Sequence, residues 1–215
     1  MMLQPDAHKT DRRRARTRAA LLQAGQSLFA ARSVDAVSVD DIVLAADVAK
    51  GSFYNHFTDK DALAREIAVS VRAEAEAQVD EANAGIADPA RRMAQAQAVF
   101  VRYAVRNPER ARAMMRLHAG ATLPNAPMNR GVRTDVEAGL ASEVFRDLTV
   151  EAGVLMAMGM VMISVSRVLE ANAVTPVQAL CADLNFGLLR GLGVAEDAAR
   201  AVSAAAVSDI FGELH

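Results

Sequence analysis

Ser38-Val39-Asp40-Asp41-Ile42-Val43-Leu44-Ala45-Ala46-Asp47-Val48-Ala49-Lys50-Gly51-Ser52-Phe53-Tyr54-Asn55-His56-Phe57 is the stretch whose reading decides the fold. Ser38-x-x-Asp41 is close to a capping box, in which a Ser oxygen accepts from a free first-turn N–H. It predicts a short helix through Ile42, Val43, Ala45 and Ala46. Asp47-Val48 interrupts that helix, and a second short one is predicted over 49–57. Phe53 and Phe57 stand at i and i+4 on its inner face. At about 100° per residue, Gly51, Ser52 and Asn55 then lie opposite, flanked by Tyr54 and His56. Two short helices with a tight turn between them and an apolar face beneath both form a helix-turn-helix. Its second helix is the one that enters a DNA major groove.

The flanking sequence is helical in both directions. Upstream, Leu21, Leu22, Gly25, Leu28 and Phe29 mark one apolar face of a helix from about Thr10 to Ala31. Downstream, Thr58 or Asp59 caps a helix over 60–82. Asp88-Pro89 and Asn107-Pro108 each supply an N-cap and a first-turn proline, opening helices to about Arg106 and His118. Residues 119–129, with Gly120, Pro124 and Pro127, read as a loop. Further helices are predicted at 130–148, 150–172, 176–191 and 195–213. No segment sustains the period-2 alternation of a strand, and no long repeat appears, so the expected class is all-α.

Composition supports that class and narrows the function. The chain has 215 residues, 52% hydrophobic and 23% charged, with no Trp. Ala, the best helix former, makes up about a fifth of it. A lone cysteine, Cys181, forms no internal disulfide, and Met1–Asp6 holds no apolar signal core; both point to the cytoplasm. Ala152–Ser166 is uncharged but shorter than the roughly 20 residues of a membrane span, so it reads as a core or interface helix. The net charge of −2 divides unevenly, with +2 over residues 1–60 and −4 over the rest. Lys9–Arg18 alone holds six bases and one acid, a concentration suited to neutralising phosphates. The histidines, at 8, 56, 118 and 215, are scattered. Metal-ligand spacing, a Gly-rich phosphate loop and a nucleophile–histidine pair are all missing from the sequence. An enzyme is therefore disfavoured, and no cofactor is expected.

The string Arg18-x-x-Leu21-Leu22, Leu28-Phe29, Ser38-Val39-x-Asp41-Ile42 and Val48-Ala49-Lys50-Gly51-Ser52-Phe53-Tyr54-Asn55-His56-Phe57-x-x-Lys60-x-x-Leu63 resembles the TetR family of transcriptional regulators. The resemblance covers about residues 16–63. It implies a DNA-binding domain over 1–59 with a basic arm, and a ligand-binding and dimerisation domain over 60–215. It also implies a repressor that binds a palindromic operator as a dimer and is released by a small, largely apolar molecule. Arg14, Arg16, Arg18, Ser38, Lys50, Gly51, Ser52, Tyr54, Asn55, His56 and Lys60 are the expected DNA contacts. Within that set the resemblance gives phosphate roles to Tyr54 and Lys60, while Lys50 and Asn55 suit guanine and adenine edges.

Three positions depart from the family pattern. Asp47 replaces the usual turn Gly, although Asp tolerates the left-handed region better than most residues. Ala49 replaces the usual Ser cap. Asp40 stands where many members place a base, and an acid there repels phosphate. These departures motivate an alternative reading, a helical small-molecule-binding protein with weakened DNA binding. A thiol-responsive regulator acting through Cys181 is another.

In the second half, small residues four apart (Gly153 and Ala157, Gly187 and Gly191) allow close helix approach. Met156 and Met160 lie on the same apolar helix. These six residues are the expected homodimer surface, as the resemblance implies. Tyr103, Arg116, His118, Asn125, Glu143 and Ser164 are the candidate polar contacts for an effector.

Overall fold

The computed structural model describes residues 6–117, 129–170 and 175–212, with side chains from residue 11 onward. Ten α-helices and one 3-10 turn make up the described chain, and no strand occurs among these residues. In order they are α1 (Asp6–Ala31), the 3-10 turn (Val34–Ala36), α2 (Val39–Ala45), α3 (Lys50–Tyr54) and α4 (Lys60–Ala82). There follow α5 (Pro89–Arg106), α6 (Pro108–Arg116), α7 (Arg130–Ala141), α8 (Val150–Leu169), α9 (Val177–Gly191) and α10 (Glu196–Phe211). The all-α expectation holds. Two compact units result, one running through Arg72 and including Glu109–Leu117, the other built from Ala73–Pro108 and the described residues after α6. The division thus falls inside α4.

The first unit closes around the apolar faces of its short helices. Leu21, Phe29, Ile42, Phe53 and Leu63 are fully buried, with Val37, Phe57 and Ile67 nearly so. Burying each such side chain contributes about 1.5–3 kcal/mol, enough to hold two helices too short to persist alone. Gly25 lets α4 approach α1: a Cβ there would lie 2.7 Å from Leu63 Cδ2.

The second unit is organised on α5, which packs against α7, α8, α9 and α10. Asp88 caps it as expected, accepting from Ala90 N at 3.0 Å with Pro89 at the first helical position. One apolar cluster gathers Met93, Val136, Phe145, Val154, Leu188 and Leu192, and a second gathers Val99, Val101, Cys181, Ile210 and Phe211. Gln97 and Asn185 are buried in the same unit. Gln97 Nε2 donates to Ser164 Oγ at 3.0 Å, and Asn185 Nδ2 donates to Ala94 O at 3.1 Å. Their carbonyl oxygens, Gln97 Oε1 and Asn185 Oδ1, accept from nothing among the described residues.

One expectation changes here. The helix predicted over 130–148 stops at Ala141. Phe145 folds back so that its N–H donates to Gly139 O at 2.9 Å and its ring covers Gly139, where a Cβ would sit 2.1 Å from the ring. Glu143 and Asp147 take left-handed backbone (φ 58° and 61°) to make that reversal. α6 opens at Pro108 as expected, and Asn107 before it also ends α5, with both its N–H and its side-chain amide donating to Tyr103 O.

Candidate nucleic-acid interface

The α2–α3 unit is fixed by local hydrogen bonds before any packing is counted. Ser38 Oγ accepts from Asp41 N at 3.1 Å while Asp41 Oδ2 accepts from Ser38 N at 2.9 Å, a complete capping box. These bonds hold the Asp41 carboxyl below the usual carboxylate range, the Ser38 backbone N–H being the largest cause. At the other end of α2, Asp47 takes left-handed backbone (φ 52°). Val48 N then donates to Val43 O and Asp47 N to Leu44 O, which is the Schellman closure ordinarily given to Gly. A non-Gly residue there stores about 1 kcal/mol of strain, and the turn forms regardless.

α3 starts without a side-chain cap, because Ala49 offers no acceptor. Replacing Ala49 with Ser should stabilise the first unit by about 1 kcal/mol. The measurement is the urea midpoint of the free protein. An unmoved midpoint would contradict the cap argument.

Phe53 and Phe57 face inward as expected, their ring centroids 5.7 Å apart. Outward stand Lys50, Gly51, Tyr54 and Asn55, all exposed, with Ser52 and His56 half-buried. Lys50 Nζ lies 2.7 Å from Asp40 Oδ1, joining the first residue of α3 to the exposed side of α2. Leu44, one turn along α2 from Asp40, is 82% exposed.

Next to this face, Asp11, Arg14, Ala15, Arg18 and His56 line an open cleft of about 350 Å³. Arg18 is held on one side by Glu66 at 2.5 Å and lies over the Phe57 ring, 5.4 Å from its centroid. Partial burial, and then the charges of Arg14 and Arg18, keep the His56 imidazole below its ordinary value. In free protein at neutral pH it is therefore neutral, and its folded form loses stability as pH falls below the unfolded value. A phosphate seated in the cleft reverses that preference, because it favours imidazolium. DNA affinity should accordingly rise as pH drops from about 7.5 to 5.5, with uptake of up to one proton at His56. Titrations at several pH values compare wild type with His56→Gln; equal pH slopes would refute the linkage.

The remaining expected contacts distribute as follows. Arg14 and Arg16 are exposed on α1, whereas Ser38 is committed to its capping box. Lys60 is not extended toward a groove. Its ammonium donates to the carbonyls of Val34 (2.8 Å), Asp35 (3.2 Å) and Val37 (3.0 Å). Asp59 caps α4 by accepting from Ala62 N at 2.6 Å.

The effector candidates do not converge. Tyr103 is fully buried, its hydroxyl donating to Glu74 at 3.3 Å. Arg116 is exposed in the first unit, and Glu143 is exposed in the reversal after α7. His118 and Asn125 lie outside the described residues. Among the described candidates, Ser164 is in a buried polar contact with Gln97; Asn185 on α9 is a second buried amide, bonded to Ala94 O of the helix that carries Gln97. Those two amides escaped sequence reasoning, and their one signal was an amide within an otherwise apolar helical pattern.

The expected dimer surface also splits. Gly153 and Ala157 turn into the chain's own core: a Cβ on Gly153 would meet Val136 Cγ1 at 2.7 Å, and Ala157 is 3% exposed. Leu155, Met156, Gly159 and Ile163 form the exposed apolar stripe of α8, with Met160 half-buried beside it. On α9, Gly187 is open while Met156 Cε already covers Gly191. By length and composition α8 could cross a membrane, but its other face packs on α5, α7 and α9. Cys181 is buried in the second cluster, and burial pushes its thiol up to about 12. Only about one molecule in 10⁵ then carries thiolate at neutral pH, which argues against the thiol-responsive alternative.

Comparison with known proteins bears on this architecture. The model of bacterial regulatory proteins of the tetR family matches residues 21–67, from α1 into α4. A 47-residue segment is 43% identical to the HTH-type transcriptional repressor DhaR of Mycobacterium sp. strain GP1, covering 22% of this chain and 24% of that protein. The chain thus aligns with about a quarter of that relative's length. Among solved structures, RolR in complex with resorcinol superposes with a TM-score of 0.60 at 22% identity, over 90% of this chain and 96% of that one. A gamma-butyrolactone receptor described as ArpA-like gives 0.65 at 20% identity, over 94% and 98%. A tetR-family regulatory protein from Rhodococcus RHA1 gives 0.67 at 18%, over 83% and 98%. At those identities the structures speak for the fold alone. The sequence match lies across the capping box, the turn and α3, so residues 21–67 are similar to the N-terminal region of tetR-family bacterial regulatory proteins.

Proposed function

We propose that the protein is a homodimeric, cytoplasmic transcriptional repressor that binds a near-palindromic DNA operator and is released by a small molecule. The observation that carries this reading is the exposed face of α3, with Lys50, Tyr54 and Asn55, bordered by a basic cleft of Arg14, Arg18 and His56. Such a face offers base-edge donors beside phosphate seats. The alternative with weakened DNA binding keeps one of its three motives, the uncapped start of α3 at Ala49, while Asp47 closes its turn and Asp40 is paired with Lys50. The exposed stripe of Leu155, Met156, Gly159 and Ile163, with Gly187, supports a two-fold interface between copies.

For the effector, Gln97 Oε1, beside Ser164, and Asn185 Oδ1 supply two buried acceptors with no donor among the described residues. An orphaned buried acceptor forfeits about 1–3 kcal/mol. A mostly apolar molecule bearing a hydroxyl or N–H would recover part of that. Related folds are described with resorcinol and as a gamma-butyrolactone receptor, in keeping with small ligands of limited polarity. Release requires that the ligand favour the conformer that cannot present both recognition helices.

The test is a titration of purified protein against the DNA upstream of its own gene and against random duplex. Salt-sensitive, sequence-selective binding in the nanomolar range is expected. Equal affinity for both duplexes would defeat the repressor reading.

A further inference from the structure

Asp40 is the least expected charge on the head, and its geometry gives it a use. It stands in the first turn of α2, exposed, beside DNA-facing elements where a carboxylate repels phosphate. A residue that merely weakened binding would point away into solvent. Instead its Oδ1 lies 2.7 Å from Lys50 Nζ, across the turn, on side chains that are 69% and 55% exposed. The pair is therefore held together yet open to a ligand on its outer side.

Hydrogen-bond bookkeeping indicates what that ligand is. A Lys ammonium has three donors; Asp40 takes one, leaving two. The Asp40 carboxylate keeps acceptor sites on both oxygens. The pair thus presents donors next to an acceptor. In the major groove a G·C pair shows two acceptors, guanine N7 and O6, followed by a donor, cytosine N4. An A·T pair shows acceptor, donor, acceptor, and meets the same edge with mismatched groups. Pairing also restrains Lys50, whose flexible four-carbon stem would otherwise let it reach phosphate or the N7 of either purine.

Resting on the DNA-binding reading above, we propose that the Asp40–Lys50 ion pair is a specificity element that reads one G·C pair, in a fixed orientation, in each operator half-site. Because the pair is neutral overall, it adds selectivity while contributing little to counterion release. Asp40 acts partly through Lys50, as a positioning residue, and partly by accepting from cytosine itself.

The experiment is selection from a library of randomised DNA duplexes, run in parallel with wild type, Asp40→Ala, Asp40→Asn and Lys50→Ala. Circular dichroism checks each variant's helix content, and the exposure of both side chains makes loss of folding unexpected. Wild type should enrich a motif with a G·C pair of one orientation at a fixed place in each half-site. Lys50→Ala should erase the preference at that place and keep the rest of the motif. Asp40→Ala should admit A·T there, with discrimination falling about tenfold or more, while affinity for random duplex rises. Asp40→Asn keeps one acceptor and should fall between. If both Asp40 variants enrich the wild-type motif with undiminished preference, Asp40 is only a repulsive charge and the proposal is wrong. If wild type itself enriches no motif, the DNA-binding reading fails first and takes this one with it.

Discussion

Without residues 1–14 the protein should bind duplex DNA far more weakly, and with a much flatter dependence on salt. The deleted stretch carries Lys9, Arg12, Arg13 and Arg14. The arm is the start of a helix, since α1 begins at Asp6, and Arg12, Arg13 and Arg14 are exposed on it. Arg14 and Arg18, four apart, share the face that lines the His56 cleft, and Arg12 and Arg16 share the next. If those four deleted bases each neutralise a phosphate, the slope of log affinity against log salt should fall by about 3 to 4. Between 50 and 200 mM salt the truncated chain should then lose about a hundredfold less affinity than the intact one. Truncation leaves Leu21 and Phe29, which carry the packing of α1, in place. Replacing Arg12, Arg13 and Arg14 by Gln removes three of the four bases with the helix retained, and should lower the slope by about 3. An unchanged salt slope in both would remove the arm from the interface.

How far the sequence foretold the structure depends on whether a feature is written in local chemistry. The α2–α3 unit was legible because its boundaries are side-chain caps and its burial follows one helical face. Ser38, Asp41, Phe53 and Phe57 do what their spacing says. The end of α7 was not legible. No Gly or Pro marks it, and the break comes from Phe145 gaining burial over Gly139 at the expense of two left-handed residues. Small residues four apart mark close approach without naming the neighbour; Gly153 proved to meet Val136 of its own chain. The described effector candidates do not converge for a related reason. Whether an amide or a hydroxyl is buried depends on the rotational phase of several helices together, which no single segment encodes.

Lys60 shows where a resemblance and a geometry make opposite predictions. A phosphate contact in that position would leave the stability of the free protein unaffected by its removal. In the structure the ammonium is the donor for three carbonyls, two within the 3-10 turn and one just after it, tying the start of α4 to the connection between α1 and α2. The 3-10 turn has no side-chain cap of its own; Arg32 adds a long contact to Ala36 O (3.5 Å) and a loose pair with Asp41 (3.7 Å), so Lys60 supplies the shorter bonds in that connection. Lys60→Met keeps much of the aliphatic stem and deletes the charge and its donors. A hydrogen bond with one charged partner contributes about 1.5–3 kcal/mol, but these share one partly exposed nitrogen. The expected loss is therefore about 2–3 kcal/mol in all, not three times the single value. Lys60→Arg keeps the charge, yet its planar fork is a poor match for three carbonyls converging on one point, so it should restore only part of the loss. Urea unfolding of the DNA-free protein, followed by helix circular dichroism, measures this directly. Amide exchange should rise first in α2 and α3, since releasing the connection frees the helices it positions. A free-protein midpoint unchanged in Lys60→Met, with DNA affinity reduced, would restore the phosphate role and overturn the clamp.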